Sequence, residues 1–339
     1  MKQGWTKFAG VLVAMLLAAP AGFADTSRGS AVPGTVNYVE GQVSIGSEFL
    51  SSKSVGSAQL EQGQSLTTEK GKTEMLLTPG VFLRLGDHSS ARMVSASLTD
   101  TQVALNQGEA MVEVDEIHPQ NDIRVAENGA TTRLLKTGLY DFDAAHNLVR
   151  VIGGKAVVRT NDHDVTVKSG HELALSDSGK PKAGKFDKKS FEMTDLYRWS
   201  SLRSDYLANA NVDAARLYYV NGWYGPGWFG PGWYWDPWFA SYTFIPGDGI
   251  FYNPFGWGFY SPLWAYRAPF FYRGRFGTPP VRVAHDPAPF RNRGFHSNPP
   301  VAHAGGFAGG HSASGFHGSG MGSGFHGGGG FGGGFGGHR

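Results

Sequence analysis

The chain has 339 residues, 40 % hydrophobic and 17 % charged, with 50 glycines, 45 aromatic residues and no cysteine. Lack of cysteine excludes a disulfide framework, a thiolate metal site, a cysteine nucleophile and a lipid-anchored cysteine. A formal charge of +2 over this length gives no sign of nucleic-acid binding, so chemistry would have to come from histidine, acids or hydroxyls.

Lys2 and Lys7 precede an apolar run from Phe8 to Pro20, and the small residues Ala21, Gly22 and Ala24 follow. That order predicts a secretory signal over residues 1–24, cleaved after Ala24. The alternative is a retained anchor, but Phe8 to Ala24 offers only 17 residues, Pro20 among them, at the lower limit of a bilayer span. No later stretch reaches about 18 consecutive apolar residues, so no transmembrane segment is expected after cleavage. The remaining chain is formally neutral but divided. Asp25 to Leu217 carries 25 acids against 21 lysines and arginines, whereas Tyr218 to Arg339 carries seven arginines against three acids.

Residues 25–178 read as a mainly β domain of roughly a dozen short strands, either a sandwich or a solenoid. Alternation is clearest in Gly41-Gln42-Val43-Ser44-Ile45, Val81 to Leu85, Ala110 to Val114 and Lys155 to Arg159, each predicted to bury one face. Gly41, Gly80, Gly108 and Gly154 stand just before these strands, where the backbone must turn. Glu113, Asp115 and Glu116 lie on and after one strand. Paired carboxylates could hold calcium, yet outward charges are the ordinary way a half-buried strand meets water, and Glu113, Asp115, Asp141 and Asp143 are so assigned. His163, between Asp162 and Asp164, reads as a turn residue.

The succession of these motifs resembles the FecR domain family. Leu60, Gly63, Leu66, Thr67-Thr68, Glu74 to Leu77, Pro79-Gly80-Val81 and Leu83-Arg84-Leu85 follow the order of its first half. Leu105, Gly108, Val112-Glu113-Val114, Gly154 to Val158 and Ser169 to Leu173 follow that of its second. One departure is Thr137-Gly138 before the aromatic strand, where the family usually has Gly-Thr. The resemblance, over about Val36 to Leu175, implies a twisted, solenoid-like β fold without catalytic residues or cofactors. The best-known relatives carry a cytoplasmic sigma-regulating segment and a membrane helix before this domain. Only seven residues precede the apolar run here, so the expectation is an exported module without the sigma-regulating part.

Residues 186–217 are predicted as one amphipathic helix, with Ser190 as N-cap and Leu196, Trp199, Leu202 and Tyr206 on the docking face. Glu192 and Asp195 suit its positive end and Arg216 its negative end. It is read as a cap over an exposed sheet end, a partner-binding helix being the alternative.

Residues 218–276 form an aromatic Gly/Pro-rich segment: of the 59 residues in Tyr218 to Phe276, 25 are aromatic. Proline and glycine disfavour a continuous helix or a central strand, leaving turns with aromatic anchors. The aromatics could wrap the β body, form an adhesive surface, or stack on glycans through Trp223, Trp228, Trp233 and Trp238 at five-residue spacing. Asp236 and Asp248 fit Asx turns. Gly225 to Gly230 and Gly322 to Gly327 match a dinucleotide pattern but lack the strand and helix that would make a phosphate cradle.

Residues 277–339 form a Gly/His/Phe-rich tail whose composition predicts disorder and allows self-association. His303, His311, His317 and His326 are weak metal candidates, spaced so that loop closure opposes joint ligation. No hydrolase, zinc-protease or phosphate-loop motif is present. The sequence therefore predicts a non-enzymatic binding or scaffolding module of the periplasm or cell envelope, with a protein or surface component as partner. A surface adhesive acting through the C-terminal third, and a metal-binding tail, are the alternatives.

Overall fold

The computed structural model describes residues 30–160, 163–175, 181–220 and 230–268. Residues 1–24, read as a signal, and the tail from 277 lie outside them. The protein is mainly β, and fifteen strands belong to one sheet. In chain order these are β1 (Val36–Ile45), β2 (Glu48–Phe49), β3 (Ser65–Leu76), β4 (Val81–Leu85), β5 (Ser90–Ser97), β6 (Asp100–Gln107), β7 (Glu109–Val114) and β8 (Ile123–Glu127). They continue as β9 (Ala130–Leu134), β10 (Gly138–Asp143), β11 (Leu148–Val151), β12 (Lys155–Arg159), β13 (Asp164–Lys168), β14 (His171–Ala174) and β15 (Gly184–Lys185).

The twelve-residue β3 lets one sheet become two layers. Its Leu66–Met75 stretch pairs with β1 along one edge. On the other edge, Ser65–Thr67 pairs with β5 and Thr73–Leu76 with β4. From that fork one layer runs β4-β7-β10-β11-β14-β15 and the other β5-β6-β8-β9-β12-β13, all antiparallel except β6 with β8. Inward side chains of both layers meet in one core that includes Met93, Val103, Val125 and Val158 from one side and Leu83, Val112, Phe142 and Val151 from the other.

The fork requires a bend, and paired glycines make it. Gly41 and Gly71 are cross-strand partners at a register shift. Gly41 has φ +69°, and a Cβ there would lie 2.1 Å from the Lys70 carbonyl oxygen. Gly41 thus sits inside β1, not ahead of a strand as its sequence position suggests, because the strand continues through the bulge. Gly80, Gly108 and Gly154 do mark turns and all have positive φ.

The expected single buried face fails for the central strands. All five residues of β4 and all six of β10 are buried, as are five of six in β7. Their second face is covered by α2 (Asp195–Val220) and two aromatic hairpins, β16–β17 (Gly232–Asp236, Ser241–Ile245) and β18–β19 (Ile250–Tyr252, Gly258–Tyr260). The segment read as turns contains regular hairpins: Pro254 and Gly256 fall in the β18–β19 turn and Gly247 and Gly249 between the hairpins, while the strands, of which β16 and β19 open on Gly232 and Gly258, are otherwise mostly aromatic and β-branched.

The helical unit is broken in two. Asp187, not Ser190, caps the one-turn α1 (Lys188–Phe191), accepting from the amides of Lys189 and Ser190. Tight i to i+3 bonds at Met193 and Thr194 end that turn before α2 begins. Leu196 and Trp199 are buried as expected, but Leu202 is half-buried and Tyr206 exposed. The buried stripe runs instead through Arg203, Ser204, Leu207 and Asn211. Accordingly α2 covers the face of the sheet and not its end.

Gly41→Val should lower stability by about 3 kcal/mol in urea unfolding, through strain at positive φ and collision with the neighbouring strand. A loss below about 0.5 kcal/mol would show that the bulge does not need glycine.

Candidate functional site

Crossing the outer face of the β4 layer, Tyr38, Glu74, Arg84, Met111, Asp141, Arg150 and Glu172 are successive cross-strand partners. Pleating puts them on one face together with Glu113, two residues beyond Met111. Arg84 is fully buried at the centre. Its Nε donates to Glu74 Oε2 at 2.8 Å and its Nη1 donates to Glu113 Oε2. From α2, Arg203 Nη2 donates to Glu74 Oε1 at 3.0 Å and Ser204 Oγ to Glu113 Oε1 at 2.7 Å. Two carboxylates thus face two guanidiniums. Burial pushes the Glu74 carboxyl up, but Arg203 and Arg84 outweigh it and hold the group below its usual range.

Three asparagines extend the array into the aromatic arm. Asn37 Nδ2 donates to Glu74 Oε1 and to the Tyr242 carbonyl, each at 2.9 Å, and its Oδ1 accepts from the Tyr242 amide at 2.7 Å. Asn253 Nδ2 donates to Glu113 Oε1 at 2.8 Å while its Oδ1 accepts from the amides of Phe255 and Trp257. Asn211, on α2, donates to the carbonyls of Phe244 and Tyr260 and accepts from the Tyr260 amide, so one side chain grips both hairpins.

Glu113 and Asp115 are therefore not on a solvent face: they are 0 % and 3 % exposed. Burial, then the neighbouring Glu113, pushes the Asp115 carboxyl well up. Asp141 and Asp143 are also buried, with Arg150 Nη1 2.8 Å and 3.5 Å from their carboxylates. Glu116 is half-buried, and His163 is exposed. The alternation at Glu113 was read properly, but its outer face is covered by Ser204 and Asn253, 91 and 140 residues away. The missed members, Arg84, Arg203, Asn37, Asn211 and Asn253, left one signal: Arg203, Ser204 and Asn211 interrupt α2 with polar groups on the side that its apolar residues bury.

Of the tryptophans proposed as platforms, Trp233 packs edge-on against Phe82 with ring centroids 4.9 Å apart, part of the arm's attachment to the sheet. Trp238 is 43 % exposed, following the Asx turn in which Asp236 Oδ1 accepts from the Trp238 and Phe239 amides. Trp223, Trp228, His303, His311, His317 and His326 lie outside the described residues. Among the described residues no group of three or more His, Cys, Asp or Glu is arranged to hold a metal ion.

A shallow groove of about 200 Å³ lies where the start of β10, the turn between β11 and β12, α1, α2 and the β18–β19 turn meet, lined in part by Gly138, Gly153, Gly154, Lys188, Tyr197 and Tyr252. Its outer rim is exposed, Tyr252 being 65 % accessible.

No family model and no curated protein matches the chain. Among solved structures, two crystal structures of a putative anti-sigma factor from Parabacteroides distasonis ATCC 8503, at 1.65 Å and 2.50 Å resolution, are similar to part of it. Each has 16 % sequence identity and a TM-score of 0.33, over 38 % of this chain and 62 % of the other. The match thus spans less than two thirds of those chains.

Arg84→Met should cost about 3–5 kcal/mol in urea unfolding, since it leaves Glu74 and Glu113 buried with one guanidinium between them; a near-neutral result would show that the array does not depend on it. Glu127, 3 % exposed and with no hydrogen-bond partner among the described residues, is pushed up to about 8 by burial and by Asp143. The unfolded chain releases this proton near pH 4.5. The stability associated with it is therefore complete below that pH and is lost as pH rises through 8. Glu127→Gln should match the parent at pH 4 and exceed it by about 1–3 kcal/mol at pH 8; parallel pH profiles would refute this.

Proposed function

We propose that the chain is an exported, non-enzymatic FecR-like module that binds or scaffolds a component of the periplasm or cell envelope through the surfaces of its β body. The supporting observation is the sealed array around Arg84. Its carboxylates are engaged by guanidinium, hydroxyl and amide donors that fasten α2 and the arm to the sheet. They are committed to holding the body closed, and recognition falls to what remains outside. The ordered FecR-like motifs and the signal-like first 24 residues support export, and among the described residues no helix is long and apolar enough to cross a membrane.

The second reading, adhesion through the C-terminal third, draws on the exposed Trp238, Tyr252 and Tyr266 of the arm. Aromatic surfaces of this kind are common anchors of protein contacts.

Expression of the full chain in a Gram-negative host, with fractionation and N-terminal sequencing, should place it in the envelope or periplasm with Asp25 first. An intact chain confined to the cytoplasm would overturn the proposal. Truncation after Phe276 should leave capture of envelope components unchanged; loss of capture with the body still folded would favour adhesion through the tail.

A further inference from the structure

The layer that begins with β5 ends on β13, and among the described residues no strand lies beyond it. Proline, bulges and inward-pointing charges are common devices that blunt such an edge, and β13 has none of these. It runs Asp164-Val165-Thr166-Val167-Lys168, and its pairing with β12 has no register shift. In an antiparallel ladder, residues whose amide and carbonyl face the partner strand alternate with residues whose groups face away. The Lys155 carbonyl accepts from the Leu135 amide on the β9 side at 2.9 Å, so the groups of Lys155 point away from β13, and those of its partner Lys168 away from β12. At the other end of the hairpin the Thr160 amide donates to the His163 carbonyl at 2.9 Å, which puts Asp164 in the same phase. Asp164, Thr166 and Lys168 therefore present their amides and carbonyls along the open edge, and all three residues are exposed. Val165 and Val167 point to the inner face, Val167 buried in the core and Val165 half-buried at its margin.

The order of residues along this edge is self-complementary. A second β13 laid antiparallel about Thr166 sets Asp164 opposite Lys168 of the second copy, Thr166 opposite Thr166 and Val165 opposite Val167. The edge amides and carbonyls of both copies then find partners, and Val165 gains an apolar neighbour. Charge favours the same arrangement. Lys155 and Lys168 are direct partners on β12 and β13, and like charges so placed repel. Among the described residues neither forms an ion pair, and Asp164 of the second copy brings a carboxylate to Lys168. Asp164 keeps its own contact as well: Arg159 Nε and Nη2 each donate to one of its carboxylate oxygens at 2.8 Å, which leaves lone pairs for a lysine. Any extended strand can fill the hydrogen bonds of the edge. Matching the charges at both ends takes a strand of the opposite charge order, which β13 itself becomes when reversed.

We propose that the chain forms a two-fold homodimer by antiparallel pairing of β13 with β13 of a second copy, joining the β5-to-β13 layers of two bodies into one continuous sheet. A contact of five residues a side is smaller than a standard interface of about 1,600 Å², so the dimer is a weak one, with Kd on the order of 0.1 mM. The inference goes beyond the reading above. Its test uses purified chain and does not depend on export.

Sedimentation equilibrium of the full chain from about 10 µM to about 1 mM should show a monomer–dimer equilibrium. Asp164→Lys alone and Lys168→Asp alone should each weaken it by about tenfold or more, because like charges then oppose at both ends of the pairing. An equimolar mixture of the two variants should restore association, since every opposed pair is again of opposite sign. Restoration separates a lost contact from a damaged fold. Thr166→Pro, which removes an edge amide and no bond to β12, should abolish dimerisation with little change in Tm. A monomer throughout the range would overturn the proposal. So would association that these substitutions leave unchanged, as contact through the tail would give, or a mixture that associates no better than either variant alone.

Discussion

A guanidinium cannot be taken out of water alone, and the architecture of this protein follows from that constraint at Arg84. Placing it at the centre of a sheet face obliges two carboxylates to lie beside it, Glu74 across the strand pair and Glu113 on the diagonal. Those carboxylates need further donors, which come from α2 and the β18–β19 turn. Desolvation of such a set is repaid only when geometry and hydrogen bonding are both satisfied. The array therefore contributes less to net stability than to the choice of where the helix and arm must sit.

Around this polar centre the apolar residues are arranged as a seal. Leu76 and Phe82 meet Leu207, Phe244 and Phe259 on one side, while Met111 and Leu139 meet Leu196 and Trp199 on the other. Each buried aromatic contributes roughly 1.5–3 kcal/mol, which offsets the ordering of a glycine-rich segment. The paired asparagine contacts fix register where aromatic packing alone would tolerate sliding. Asn37 and Asn211 do this by bonding to both the amide and the carbonyl of a hairpin residue, as a neighbouring strand would.

The strands were legible because alternation and turn glycines are local signals: Val81–Leu85 and Lys155–Arg159 have the bounds their patterns indicate. What covers a strand is not a local property. Glu113 between Val112 and Val114 reads the same whether its carboxylate meets water or Ser204, 91 residues later. Apolar spacing located α2 but turned its face by choosing Leu202 and Tyr206 over Arg203 and Ser204, since an apolar criterion cannot favour a polar residue whose partner is a buried charge. The hairpins were hidden in a similar way. Overall glycine and proline content masked their placement at the turns, although the Asx turn at Asp236 was readable from one residue.

The separation in sequence between the partners of this array bears on the order in which the molecule forms. Asn37 meets Tyr242 across 205 positions, Glu113 meets Asn253 across 140, and Glu74 meets Arg203 across 129. A chain made from its amino end completes the two β layers while the residues that will roof them are still unsynthesised. Through that interval Glu74, Arg84 and Glu113 stay hydrated, and dehydration of the face waits for the arm to arrive. Such high contact order slows the final closure, so the protein passes through an open-faced stage that lasts until α2 and the two hairpins dock.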